Sequence, residues 1–191
     1  MNRPELHRAG IGDDVIFGSG VKVVEPCNLY GCRIGDDCFI GPFTEIQKDV
    51  VMGARTRVQS HSFICELVAI GDDCFIGPFT EIQKTAKIGA RTRVQSHAFV
   101  CELVTIGEDC FIGHGAVFIN DTFSTGGPAR GDKELWRATA VGDRVSIGSN
   151  ATILPVRICD DVVIGAGAVV TRDITEPGFY VGNPARRLVR K

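Results

Sequence analysis

The sequence predicts an all-β fold, a parallel β-helix wound as a three-sided solenoid of about eight coils, on three observations. An aliphatic residue, or Phe at the last position, returns every six residues from Ile34 to Phe118. A small or compact residue follows each of these four positions later. Neither the period of a helix nor that of an ordinary strand holds such a phase, whereas three short strands per eighteen-residue coil do.

The first coil starts at Phe17, Val23 and Leu29, with one turn a residue short. The register then runs through Ile34, Ile40, Ile46, Met52, Val58, Ile64, Ile70, Ile76, Ile82, Ile88, Val94, Val100, Ile106, Ile112 and Phe118. Gly often stands next in the chain, as at Gly35, Gly41, Gly53, Gly71, Gly77, Gly89, Gly107 and Gly113, which reads as a bend where a side chain would add strain. The compact row, from Cys38 and Thr44 through Cys74 and Thr92 to Cys110 and Ala116, points inward with the aliphatics. Coils stacked about 4.8 Å apart give a prism roughly 38 Å long.

Residues 34–69 and 70–105 are identical at 29 of 36 positions, with seven differences (36 − 7). This is two whole coils, so the extra copy keeps every inward residue inward. It reads as a spacer, the other reading being a second set of site residues. After FIGHGAVFIN the rhythm breaks over residues 121–140, an inserted loop rich in Gly and charge with the single tryptophan, and resumes at Val141, Ile147, Ile153, Ile158, Ile164 and Val170. The organisation is one domain, 1–191, with one protruding loop.

A formal net charge of −2 with interspersed acids and bases supplies no positive field for nucleic acid. No run of eighteen apolar residues suggests a membrane partner. The opening MNRPELHRAG has no apolar signal core, so a cytoplasmic location is expected. The eight cysteines are then expected to stay reduced, three of them as core fillers, and the absence of any CxxC pair argues against zinc.

Loops on a rigid scaffold are where binding residues collect. Trp136 and Phe123 can stack on a base or sugar, and Arg130 or Lys133 can meet a phosphate, or they can be ordinary loop residues. Coil arithmetic stacks Asn120 on Glu102 at the root of the loop, with Asp121 next to it. His114 falls over Ser96 and His97 under Gly115, so both imidazoles can face one groove as proton acceptors, with Glu102 to orient one or to hold a substrate ammonium. The alternative is a pair of surface imidazoles on turns, and His61, the duplicate of His97, reads as idle. Farther on, Gly148 and the run Gly165, Ala166, Gly167, Ala168 let a ligand lie against backbone. Arg172, Arg186, Arg187 and Arg190 can pair with phosphates, or form a solvated basic tail.

The repeated IGDDCFIG, the run SHAFVCELVTIGEDCFIGHGAVFIND, and then GAGAVVTRDI and VGNPARRL make the chain similar to the hexapeptide-repeat acetyltransferases, in particular the bacterial N-acetyltransferases of nucleotide-linked 3-amino sugars. The resemblance implies a left-handed β-helix, a homotrimer with sites between neighbouring prisms, acetyl-CoA as cosubstrate and no metal. It implies a dTDP- or UDP-linked amino sugar as acceptor, in surface-polysaccharide synthesis. Asn120 would contact the sugar, and Gly165 to Ala168 with Asn183, Pro184 and Arg186 would line the cofactor. One departure stands out: acetyltransferases of this fold often keep a histidine within the loop, and residues 121–140 have none. His97, His114 and substrate positioning without a side-chain base all stay open. So do O-acetylation, a non-catalytic or engineered repeat-extended scaffold, and, remotely, the zinc-bearing γ-type carbonic anhydrases of the same prism.

Overall fold

The computed structural model describes residues 10–189, and in it the eighteen-residue coil closes as the spacing requires. Ile70 lies beside Met52 and Ile88, Ile76 beside Val58 and Val94, and Ile82 beside Ile64 and Val100, all in parallel register. Three sheets form the sides of the prism. The first has eight strands, from Ile16–Phe17 to Arg157–Ile158, and the third has eight, from Asn28–Leu29 to Val169–Val170. The second has ten, because Gly178–Val181 adds to Val162–Ile164 in parallel and Arg186–Arg187 folds back on it antiparallel. The fold is all-β, a left-handed parallel β-helix, and the only helical turn among the described residues is the 3-10 turn Lys133–Leu135 in the loop.

The coil count needs a correction. Eight coils are complete, but Ile11 bridges to Leu29 below the first and Ile174 bridges to Ile158 above the last, so the stack approaches nine turns. The lower turn continues the six-residue rhythm, since Ile11 stands six residues before Phe17, whereas Ile174 comes only four after Val170, where the rhythm lapses, and backbone pairing alone reveals it.

Both inward rows are buried, from Ile34 to Phe118 and from Cys38 to Ala116. The hydroxyls and thiols among them are not merely fillers. Thr56 Oγ1 donates to the Gly71 carbonyl at 2.9 Å and Thr92 Oγ1 to Gly107 at 2.9 Å. Cys74 Sγ donates to Gly89 at 3.1 Å. Each therefore satisfies a carbonyl at the next coil's corner, and no buried side-chain polar atom among the described residues lacks a partner. All eight cysteines are free thiols.

The glycine reading is corrected too. Left-handed backbone falls two residues after these glycines, on ordinary side chains such as Asp73 (φ 57°), Phe79 (58°) and Asp109 (55°). Gly71 itself is needed because a Cβ there would sit 2.6 Å from the Ala90 nitrogen, and at Gly41 it would sit 2.7 Å from that of Ser60. The glycines make room for the next coil's backbone rather than for the bend.

Each corner of the prism repeats its own chemistry. Between the first and second sides, Arg55 grips Asp73 through two bonds of 2.7 Å, Arg91 grips Asp109 at 2.7 and 2.8 Å, and Arg144 grips Asp161 at 2.7 and 3.0 Å. These guanidiniums hold the three carboxyls below the ordinary aspartate range. Between the second and third sides stands an aromatic column: Phe43 on His61 at 4.8 Å, His61 on Phe79 at 4.7 Å and Phe79 on His97 at 5.0 Å. The third corner carries Lys84 against Glu66 at 2.5 Å and, above them, the loop.

Candidate active site

The loop leaves the prism at Asn120 and is tied back at its root. Asp121 accepts from the backbone N–H of Phe123 at 2.8 Å and of Ala129 at 2.7 Å, and pairs across to Trp136 as an antiparallel bridge. The Asn120 carbonyl accepts from the Arg137 N–H at 2.9 Å. The expected stacking of Asn120 on Glu102 is present, with the Asn120 amide 3.5 Å from the Glu102 carbonyl oxygen. Asp121 thus has both carboxylate oxygens occupied in shaping the loop.

This root folds over a cleft of about 390 Å³ lined by Glu81, Gln83, Phe99, Cys101, Glu102, Asn120 and Trp136, with Val117 to Ile119 as its floor. Glu102 is well shielded in it: its side chain is 15% exposed and accepts from Lys133 Nζ at 2.8 Å. That ammonium also stands 5.4 Å from the centre of the Trp136 ring. Lys133, read above as a phosphate partner, is turned to this carboxylate instead. Burial pushes the Cys101 thiol up to about 12, and the Glu102 charge adds to the shift, so the thiol stays protonated and is no nucleophile at neutral pH.

The cleft takes in Glu102, Asn120 and Trp136 of the expected set and leaves the others elsewhere. His97 and His114 lie at the aromatic corner, on the far ends of the strands Phe99–Val100 and Val117–Phe118 from Glu102 and Asn120. The coil arithmetic stacked each pair correctly but says nothing about which corner faces which, and the chain keeps the imidazoles apart from the carboxylate. His114 Nδ1 is 2.7 Å from Ser96 Oγ, and His97 ends the aromatic column. Arg130 is exposed, in left-handed backbone at φ 51°.

At the upper end of the aromatic corner the small-residue run divides. A Cβ on Gly148 would strike the Ala166 backbone, one on Gly165 would come 2.7 Å from Val181 Cγ1, and Ala168 is buried, so these three serve coil stacking. Gly167 (φ 67°) has open space where a Cβ would point, and Ala166 is exposed beside it. Arg172, Arg186 and Arg187 line a hollow of about 220 Å³ with Thr171 and Tyr180. Arg187 is bound to Glu176 at 2.5 Å, while Asn183 and Pro184 lie exposed in the turn before Arg186. Arg190 lies outside the described residues. A larger groove, about 840 Å³, runs over the upper first side between Arg137, Arg157 and Asp173 and holds none of the expected site residues.

Sequence reasoning missed Glu81, Gln83, Phe99 and Cys101 as cleft residues. The signal was available, since Phe99 and Cys101 stand eighteen residues before Val117 and Ile119, and Glu81 and Gln83 eighteen before Phe99 and Cys101. Among the described residues, no three His, Cys, Asp or Glu side chains group as a metal site would, and no helix is long and apolar enough to cross a membrane.

The family model for the GMPPB C-terminal domain matches residues 30–126, or 97 of the 191 residues (126 − 30 + 1). The hexapeptide repeat of succinyl-transferase matches residues 139–172. YvoF of Bacillus subtilis, named provisionally as an acetyltransferase, is 46% identical over 52 residues, 27% of this chain and 30% of its own length. A chloramphenicol acetyltransferase of Morganella morganii is 39% identical over 54 residues, 28% of this chain and 26% of its own. The matched stretch therefore spans less than a third of either relative. Among solved structures, a UDP-N-acetylglucosamine acyltransferase aligns with a TM-score of 0.75 at 17% identity, over 92% of this chain and 69% of that one. A hexapeptide-repeat acetyltransferase of Vibrio cholerae, complexed with acetyl coenzyme A, aligns with a TM-score of 0.50 at 23% identity, over 62% and 68%. At such identities the two structures share the fold.

Proposed function

As the chain belongs to the family of the GMPPB C-terminal domain and carries the hexapeptide repeat of succinyl-transferase beyond it, we propose that it is an acyltransferase moving an acetyl group from acetyl-CoA to the amine of a nucleotide-linked sugar. The observation that carries this reading is the cleft under the loop root, where a shielded carboxylate, an amide and an indole converge on one side of the prism. Acetyltransferase names among the partial relatives support the reaction class.

The reaction asks little covalent help from the protein. A neutral amine attacks the thioester carbonyl, the new C–N bond forms as the C–S bond breaks, and the thiolate leaves with the proton the amine sheds. Glu102 and Asn120 would hold the amine, and Trp136 would lie along the sugar. The exposed edge at Ala166 and Gly167 and the guanidiniums of Arg172 and Arg186 fit a pantetheine arm and its phosphates, which coenzyme A would supply together with the thioester. Since no imidazole lines the cleft, a second copy is the source we assign to a general base: in a homotrimer the aromatic corner of one prism would face the loop of the next. The bacterial surface-sugar role and a cytoplasmic setting belong to the same proposal.

Thiol release from acetyl-CoA, measured with UDP- and dTDP-linked 3-amino sugars and their 3-hydroxy counterparts, tests the reading. Turnover with an amino sugar is expected. Mixing the double variant His97→Asn, His114→Asn with Glu102→Gln chains should restore part of the rate that each lacks. No turnover with any sugar would leave the prism as a scaffold.

A further inference from the structure

The third corner repeats a charge pattern that breaks at one place, and the break falls in the cleft. Positions eighteen apart read Lys48, Glu66, Lys84, Glu102 and Asn120. Glu66 is paired with Lys84 of the next coil at 2.5 Å, both side chains well exposed at 44% and 38%. By the same rule Glu102 should be paired with residue 120, but that residue is Asn and has no charge. The missing ammonium comes from the loop instead: Lys133 reaches back 31 residues to place Nζ 2.8 Å from Glu102, its own side chain 60% exposed while the carboxylate is 15% exposed. One partner of this pair is built into the stacked wall, and the other is a flexible side chain on an excursion outside it.

We propose that Glu102 is a specificity residue for a protonated primary amine, and that Lys133 is an internal occupant of that subsite, displaced when an amino-sugar acceptor enters. The cleft provides what such a cation needs. A carboxylate with little water supplies the charge, the Trp136 face supplies a cation–π surface already populated by Lys133, and Asn120 and Gln83 line the same wall as polar neighbours. An uncharged hydroxyl in place of the ammonium would leave Lys133 where it is. Lys133 thereby sets a threshold against ligands without a positive charge, since only a competing cation can take over its partner. The inference deepens the acyl-transfer reading for this site and rests on it only for the identity of the acceptor.

Trp136 is the only tryptophan of the chain, so intrinsic fluorescence reports on the cleft directly. Glucosamine, at a pH where its amine is protonated, is titrated against the full chain, with glucose as the uncharged comparison. Glucosamine is expected to change the emission and glucose not to. Glu102→Gln should weaken glucosamine at least about tenfold, by loss of a charge-assisted bond. Lys133→Met should tighten it by up to about fivefold, as removal of an ion-pair competitor implies. Glu66→Gln, the same substitution two coils away, should change nothing, and thermal melting of each variant verifies that it is folded. Equal responses to glucose and glucosamine, no response to either, or unaltered glucosamine binding in Glu102→Gln would each overturn the proposal. Amine-selective binding without any thiol release from acetyl-CoA would retain the subsite and reject acyl transfer, while turnover indifferent to Glu102 would do the reverse.

Discussion

At the residue scale the glycines separate two kinds of constraint that look alike in sequence. Gly71 has ordinary backbone but no room, since its missing Cβ would press on the Ala90 main chain at 2.6 Å. Gly127, in the loop, has nothing within 4 Å. Gly71→Ala should therefore cost about 1–3 kcal/mol in urea unfolding, by forcing backbone apart in a packed stack. Gly127→Ala should stay within about 0.5 kcal/mol of the parent. Equal effects would mean that coil contact is not what selects glycine at these corners. The sequence showed where glycine recurs but not the reason, because a bend and a close approach write the same letter. The site was legible to a similar depth. Stacking of Asn120 on Glu102 follows from counting, whereas the reach of Lys133 across 31 residues depends on the path of an irregular loop, which no period encodes.

At the scale of elements, each corner is a column with its own cohesion, and the arginine–aspartate column should be visible in acid. Asp73, Asp109 and Asp161 titrate below their unfolded value because a guanidinium faces each one in the fold. A lowered folded value means that the contribution is complete above the unfolded carboxylate pKa of about 3.9 and is lost as pH falls through the lower, folded one. Melting temperature should accordingly hold from neutrality to about pH 4.5 and drop below about pH 4. Arg91→Met should lower it by a few degrees at most at pH 7, and by less at pH 3 or in high salt, since these pairs are exposed. A deficit that grew in acid would contradict this assignment. The column itself could have been read in advance, as Asp37, Arg55, Asp73, Arg91 and Asp109 alternate at eighteen-residue steps.

At the scale of the whole molecule the aliphatic rhythm was enough to predict the three-sided coil, because burial of one aliphatic and one compact residue in every six leaves few other ways to close the chain. It failed at the upper end, where Ile174 pairs through backbone off the repeat, while Ile11 at the lower end is in phase with Phe17 and could have been counted. The duplicated segment gives the sharpest test of coil autonomy. Removal of residues 34–69 leaves 155 residues (191 − 36) with Ile70 in the place of Ile34, so every contact across the junction has a ready equivalent. The shortened chain should unfold in a single transition, retain its far-ultraviolet spectrum per residue and keep the glucosamine response of Trp136, since the cleft begins at Glu81. Loss of folding would mean that the two copies are not interchangeable units.

Because neighbouring coils are joined by hydrogen bonds that all run along the prism axis, tension applied to the two ends would load those bonds lengthwise and in turn, not side by side. The molecule should then come apart like a reel rather than a clamp, each released coil of eighteen residues paying out roughly 60 Å of chain. The antiparallel return of Arg186–Arg187 on Gly178–Val181 would be the fastening that has to open before the thread can run from that end.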